Sequence, residues 1–201
     1  MRVLSPKVSA ELPPHQDTSS RNLAASAALA RQFRMPVDKC VLRCDKYMKL
    51  IVGGTYGLTR FHEDGTRKFH GGVDLCAPIG TDCYAIYRGR VLETPTGKDF
   101  GKYVLARFDL PEGRRFAIYA HLSKILVAAG AKLEAGVVLG KTGATGNSST
   151  HYPHLHFEIW TSLKARSEKD RAKYRVNPLE VLGPLPFEPF AVDVLDGAQR
   201  A

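Results

Sequence analysis

The sequence predicts a mainly β protein with a short helical N-terminal arm. Three observations carry this reading. From Val41 onward, short β-branched and aromatic runs are separated by glycines, the punctuation of strands and turns. Helical periodicity is weak from 41 to 160. A helix-like spacing occurs upstream instead, over 21–34, where Leu23, Ala27, Ala30 and Phe33 recur with Arg21 and Arg31 beside them.

Taken in chain order, residues 1–20 are polar and contain prolines, which predicts a loose arm. The helix over 21–34 has Ser19 or Ser20 as its N-cap and ends near Pro36. Candidate strands follow at 48–52, 83–94, 102–109, 115–120, 136–140 and 154–160. The stretch 161–175 is highly charged with few apolar anchors and reads as a solvated loop or a short surface helix. Residues 176–182 return to strand or turn character, and the tail carries three prolines before a possible strand over 190–195. Three segments result: an N-terminal arm over 1–45, a domain over 46–183 that includes the charged insert 161–175, and a C-terminal tail over 184–201.

Composition bounds the function classes. With 201 residues, 44% hydrophobic and 24% charged, the chain is excluded from the disordered and collagen-like classes. No stretch approaches the roughly 20 apolar residues of a membrane span. The formal charge is +9, and most of the excess lies upstream of residue 70. Nucleic acid is not expected as a partner, because the basic residues are interleaved with acids and no strand alternates aromatic with basic side chains. The same charge suits a polyanionic cell wall or membrane surface. Residues 1–20 lack the continuous apolar stretch of a clear signal peptide. Cys40, Cys44, Cys76 and Cys83 contain no C-x-x-C pair. Cys76 and Cys83 flank a turn-rich loop, where a disulfide and two buried thiols are equally compatible with the spacing.

Five of the seven histidines fall between 70 and 156. In His70-Gly-Gly-Val-Asp74 the two glycines disfavour a helix, so a turn running into a strand would bring imidazole and carboxylate together. In His154-Leu-His156 a strand would project both rings to one face. His121 ends the apolar run 116–120, where a strand would deliver it to a sheet rim. Together these residues supply two neutral imidazoles and a carboxylate for a borderline metal, with two imidazoles left for protons. That is the composition of a catalytic zinc site.

The strings HGGVDLCAPIGTDCYAIYRGRV (70–91), YAHLS (119–123), VLGKTGATGNSS (138–149) and PHLHFEI (153–159) resemble, in order and interval, the signatures of the lysostaphin/LytM-type zinc metalloendopeptidases. Arg60 and the closing Val176-Asn177-Pro178 extend the likeness to about residues 53–182. The resemblance implies a compact antiparallel β-sheet endopeptidase domain with an open groove and one Zn2+ per chain. It implies that His70, Asp74 and His156 are metal ligands and His121 and His154 are catalytic. It further implies hydrolysis of peptide cross-links in bacterial peptidoglycan by a metal-activated water, in the periplasm or the extracellular cell wall. Export would then use a dedicated secretion system or lysis. D-Ala–diaminopimelate cross-bridges are expected over pentaglycine, because no module of the glycine-bridge-specific enzymes is visible. The alternative is a catalytically silent member of the fold that regulates a cell-wall amidase. Two departures stand out. Thr150-His151-Tyr152-Pro153 replaces the family's glycine, and the insert 161–175 is longer than usual and offers a substrate-contacting loop. His151, His62 and His15 are expected at the surface.

Overall fold

The computed structural model describes residues 33–43, 52–110, 113–148, 150–183 and 185. The helix expected over 21–34 and the strand over 190–195 lie essentially outside these residues. A 3-10 turn, Val52–Gly54, precedes thirteen short strands. These are β1 (Gly57–Phe61), β2 (Arg67–His70), β3 (Val73–Cys76), β4 (Asp82–Tyr84), β5 (Gly89–Glu93), β6 (Thr96–Gly97) and β7 (Gly101–Leu110). After these come β8 (Gly113–Leu122), β9 (Lys124–Ile125), β10 (Lys132–Leu133), β11 (Val138–Lys141), β12 (His154–Trp160) and β13 (Arg175–Val176). Two α-helical turns, α1 (Arg171–Tyr174) and α2 (Leu179–Leu182), sit near the C-terminal side. Among the described residues no helix is long and apolar enough to cross a membrane.

The main sheet has the order β10-β5-β7-β8-β12-β13, with β3 also on β12 and β6 on β7, and every pairing is antiparallel. A three-stranded sheet, β4-β11-β9, and the hairpin β1-β2 complete the fold. The period-2 alternation of β8 shows why this sequence makes a central strand. Ala117 and Tyr119 enter the larger core with Phe108, Leu155, Phe157 and Ile159. Phe116, Ile118 and Ala120 enter a second cluster on the opposite face with Leu105 and Trp160. Each fully buried large side chain contributes roughly 1.5–3 kcal/mol, so a strand packed on both faces is strongly fixed in register.

The architecture matches the mainly β, antiparallel reading, and β12 coincides with the expected strand 154–160. Other boundaries differ for physical reasons. The expected strand 83–94 is broken after Tyr84, because Ala85 and Ile86 turn into the core and the Ile86 amide donates to the Tyr119 hydroxyl at 3.2 Å. The chain thereby leaves the small sheet for β5. Of the expected strand 48–52, only Val52 is described, and it opens the 3-10 turn. Residues 179–182 are helical rather than strand or turn. The charged stretch carries a 3-10 turn, Leu163–Arg166, and then α1, with Ala165 fully buried.

Residues 33–43, assigned from sequence to the arm, pack into the domain. Val37 and Val41 are buried, and the Val41 carbonyl accepts from the Cys76 amide while the Arg43 amide donates to the Asp74 carbonyl, both at 2.9 Å. This segment therefore runs along the edge of β3. Cys40 and Cys83 are buried free thiols, so Cys83 is not bridged to Cys76. Burial pushes both thiols up to about 12.

One glycine tests the sheet away from the histidines. A Cβ built at Gly89 on β5 would lie 2.0 Å from the Arg107 carbonyl oxygen of β7. Gly89→Ala is expected to destabilise by about 1–3 kcal/mol, a fall of roughly 2–4 °C in Tm per kcal/mol. Thermal unfolding followed by circular dichroism measures it, and an unchanged Tm would contradict the close approach of these strands.

Candidate metal centre

The pairing of β3 with β12 sets His156 opposite Asp74. Asp74 Oδ1 is consequently 2.9 Å from His156 Nδ1. His70, closing β2, brings its Nε2 to 3.0 Å from His156 Nδ1 and 3.3 Å from Asp74 Oδ1. All three side chains are buried, and their ligand atoms lie within 4.8 Å of one another. The two glycines between His70 and Asp74 have a steric reason. A Cβ at Gly72 would sit 2.2 Å from the Phe157 carbonyl oxygen, and one at Gly71 would sit 2.5 Å from Arg175 Nη1.

Outer partners orient each donor. His70 Nδ1 is 2.8 Å from the Thr55 carbonyl oxygen, which only accepts, so Nδ1 carries the hydrogen and Nε2 keeps a lone pair. His156 is turned the other way, with Nε2 2.9 Å from Glu158 Oε1 and Nδ1 toward the cluster. Glu158 also accepts from Arg175 Nη1 at 2.8 Å and Trp160 Nε1 at 2.5 Å. Asp74 Oδ2 accepts from Arg60 Nη2 at 2.9 Å, leaving Oδ1 on the inner side, and Arg60 Nε donates to the Gly53 carbonyl at 2.6 Å. Arg60 Nη2 also lies 2.9 Å from His70 Nε2. Buried imidazole and carboxylate donors, each tied from behind, fit a zinc-type ion. Glu158 was not singled out from the sequence, although it shares strand parity with His154 and His156.

His154 and His121 flank this set, their rings 5.1 Å apart. His154 Nδ1 donates to the Tyr152 carbonyl at 2.8 Å, and its Nε2 lies 3.6 Å from Asp74 Oδ1. His121 Nδ1 donates to the Thr145 carbonyl at 2.9 Å. Thr145 Oγ1 in turn accepts from the Lys102 amide and donates to the Leu122 carbonyl, both at 2.9 Å. The loop after β11 is thus stitched to the strands that carry His121. Among the described residues His121 is the one non-glycine with positive φ, at 63°. It lies where the β7–β8 register shifts, so a β-bulge with local strain aims this ring. His62 and His151 are exposed and outside the donor set, and His15 lies outside the described residues.

Burial lowers the basicity of His70 and His154. His121 falls to about 3, through burial and then the neighbouring His156 and His154. These rings are therefore neutral near pH 7 and offer lone pairs. For His156 burial opposes the proton, but hydrogen bonds to Asp74 and Glu158 outweigh it and raise the pKa to about 9. Burial alone would raise Asp74, yet its interactions with His154, His156 and His70 hold it well below the usual carboxylate range.

A groove of about 550 Å³ opens over the centre, lined by His70, His121 and His156 together with Phe100, Arg166 and Arg171. The charged insert thus forms part of the groove wall. Metal-dependent hydrolases are built in this way, with three protein donors that leave a position open toward a substrate channel. The chain belongs to peptidase family M23, whose model matches residues 68–172. It is 38% identical over 135 residues to the peptidoglycan DD-endopeptidase ShyA of Vibrio cholerae, covering 66% of this chain and 28% of that protein. It is 36% identical over 89 residues to lysostaphin of Staphylococcus simulans, covering 44% and 17%. The chain spans about a quarter of the length of the first of these curated relatives. Among solved structures, the catalytic domain of the prophage-encoded M23 protein EnpA of Enterococcus faecalis superposes with TM-score 0.52 at 25% identity, over 77% of this chain and 99% of that one. The lysostaphin catalytic domain of Staphylococcus simulans gives TM-score 0.52 at 28% identity, over 65% and 90%.

The Glu158 bond to His156 is testable by metal titration. Glu158→Gln is expected to weaken zinc affinity about 10- to 100-fold, the usual cost of losing such a partner. Competition with a chromogenic chelator measures it, and unchanged affinity would remove Glu158 from the support of His156.

Proposed function

We propose that the chain is a zinc-dependent endopeptidase that hydrolyses peptide cross-links of bacterial peptidoglycan, with His70, Asp74 and His156 as ligands and His121 and His154 as catalytic residues. The observation that carries this reading is the convergence of His70 Nε2, Asp74 Oδ1 and His156 Nδ1 beside two further anchored imidazoles. When bound, zinc supplies Lewis-acid polarisation of a carbonyl and brings the pKa of water toward about 7. The protein's own groups do the rest. With Nδ1 held by backbone carbonyls, His121 and His154 keep Nε2 for other partners: His121 lines the groove, and His154 Nε2 lies 3.6 Å from Asp74 Oδ1. A neutral Nε2 accepts a proton from the attacking water and, once protonated, donates to the oxyanion or the leaving amine. The groove bounded by Phe100 and the insert holds the peptide across the donor set.

The substrate defines the place of action: peptidoglycan lies in the periplasm or the outer wall. Retention of all five residues speaks against a silent regulator that binds an amidase. Stem-peptide cross-bridges are proposed over glycine bridges, and mass spectrometry of digested muropeptides tests this. Cleavage confined to glycine bridges would overturn the preference.

Purified protein is expected to hold about one zinc per chain and to lose wall-clearing activity on chelation. Activity that persists with no zinc by elemental analysis would refute the metal assignment. His156→Ala removes a donor and is expected to release the metal. His154→Ala and His121→Ala are expected to keep zinc and lose roughly 100- to 10,000-fold in rate. The reverse pattern of zinc retention would exchange the roles of His154 and His156.

A further inference from the structure

A second, smaller cavity of about 190 Å³ adjoins the histidine pair, lined by Arg43, Arg60, His121, Asn147, Ser148 and His154. It is about a third the size of the groove, and its lining is mostly polar. Two features set it apart. Among the described residues, the buried side-chain nitrogen and oxygen atoms without a hydrogen-bond partner are Arg43 Nε, Arg107 Nε and Ser148 Oγ, and two of these three belong to residues of this cavity. Native proteins rarely leave buried polar atoms unpaired; both atoms are enclosed behind the cavity wall, so the Ser148 hydroxyl meets a ligand there after rotating about its Cα–Cβ bond.

The second feature is charge. Arg60 and Arg43 both face Asp74 Oδ2, Arg60 at 2.9 Å and Arg43 at 3.5 Å. Arg60 is also engaged with His70 and the Gly53 carbonyl, so its donors are largely committed. Arg43 makes the longer ion pair, and its guanidinium lies 5.3 Å from the Tyr152 ring centroid, with 18% of the side chain exposed. One carboxylate thus faces two guanidinium charges in a half-closed place, which favours a further anion. Arg43 stands outside the residues matched by the family model. It is delivered by the 33–43 segment, through the Arg43 amide to Asp74 carbonyl bond at 2.9 Å.

We propose that Arg43, with the Ser148 hydroxyl and the Asn147 amide, forms a subsite for a substrate carboxylate next to the scissile bond. This rests on the endopeptidase reading and deepens it: the preferred substrate is an anionic peptide, and Arg43 determines that preference. A guanidinium and a hydroxyl rotor are suited to a carboxylate, which accepts from both.

The test uses the zinc-loaded full chain and two synthetic cross-linked stem peptides, one with a free carboxylate beside the scissile bond and one with its primary amide. The carboxylate peptide is expected to have a KM roughly tenfold or more lower, the size of one charged hydrogen bond. Arg43→Met is expected to bring the ratio of the two KM values close to one, Arg43→Lys to restore part of it, and Ser148→Ala to reduce it in a background with Arg43 intact. Zinc content and circular dichroism identify a variant that has lost the fold, in which case Ser148→Ala alone decides. Equal KM values in the wild type, or an Arg43→Met loss confined to kcat on both peptides, would overturn the subsite. Calorimetric binding of a non-cleavable carboxylate peptide and its amide separates the two readings. Discrimination in binding without any hydrolysis refutes the endopeptidase and keeps the subsite; hydrolysis without discrimination does the opposite.

Discussion

The antiparallel pairing of β3 with β12 is the constraint on which the rest of the molecule depends. It sets Asp74 against His156 and Cys76 against His154. Because side chains alternate along a strand, a slip of one residue would send the histidines into the core and Leu155 and Phe157 into the groove. Two things prevent the slip. Leu155, Phe157 and Ile159 are fully buried in the larger core. Gly72 also lies against the Phe157 carbonyl so closely that any side chain there would collide with backbone. The apolar face of β12 therefore holds the polar face in place, and the geometry of the histidine cluster is a by-product of core packing.

Where the alternation was complete, the sequence was enough. β12 has a buried residue at every position, and its ends were legible to the residue. The site residues were legible as a set because their spacings are local: His70 to Asp74 across two glycines, and His154 to His156 along one strand. What escaped was information held by distant partners. The bulge that turns His121 inward depends on Phe100, whose carbonyl accepts the His121 amide, and on Thr145. Nothing within the segment 116–122 encodes it. Glu158 carried a visible signal in its parity but takes its meaning from Arg175, a residue of the charged stretch that looked merely solvated. The β1-β2 hairpin was also overlooked. Its strands are short and largely exposed, although Asp64-Gly65 is a hairpin turn pair and Asp64 accepts from the Thr66 amide at 2.9 Å.

The segment 33–43 shows how a domain boundary drawn from composition can miss a structural role. Its sequence lacks the period of a strand, yet four backbone hydrogen bonds tie it to β3, β4 and the turn after β4. Its contribution comes from a few buried apolar residues and from main-chain groups, neither of which shows in a hydropathy pattern. The same segment delivers Arg43 to within 3.5 Å of Asp74 Oδ2, so the part of the chain most easily dismissed as an arm shapes the electrostatics around that carboxylate.

The buried thiols of Cys40 and Cys83 bear on where such a protein can work. Thiol–disulfide exchange requires the thiolate, and with ionisation displaced to about 12 that form is a trace species near neutrality. Enclosure in the core also denies access to an oxidant. These two sulfurs can therefore pass through an oxidising compartment as ordinary small hydrophobes. The packing that fixes the sheet gives them chemical inertness as well.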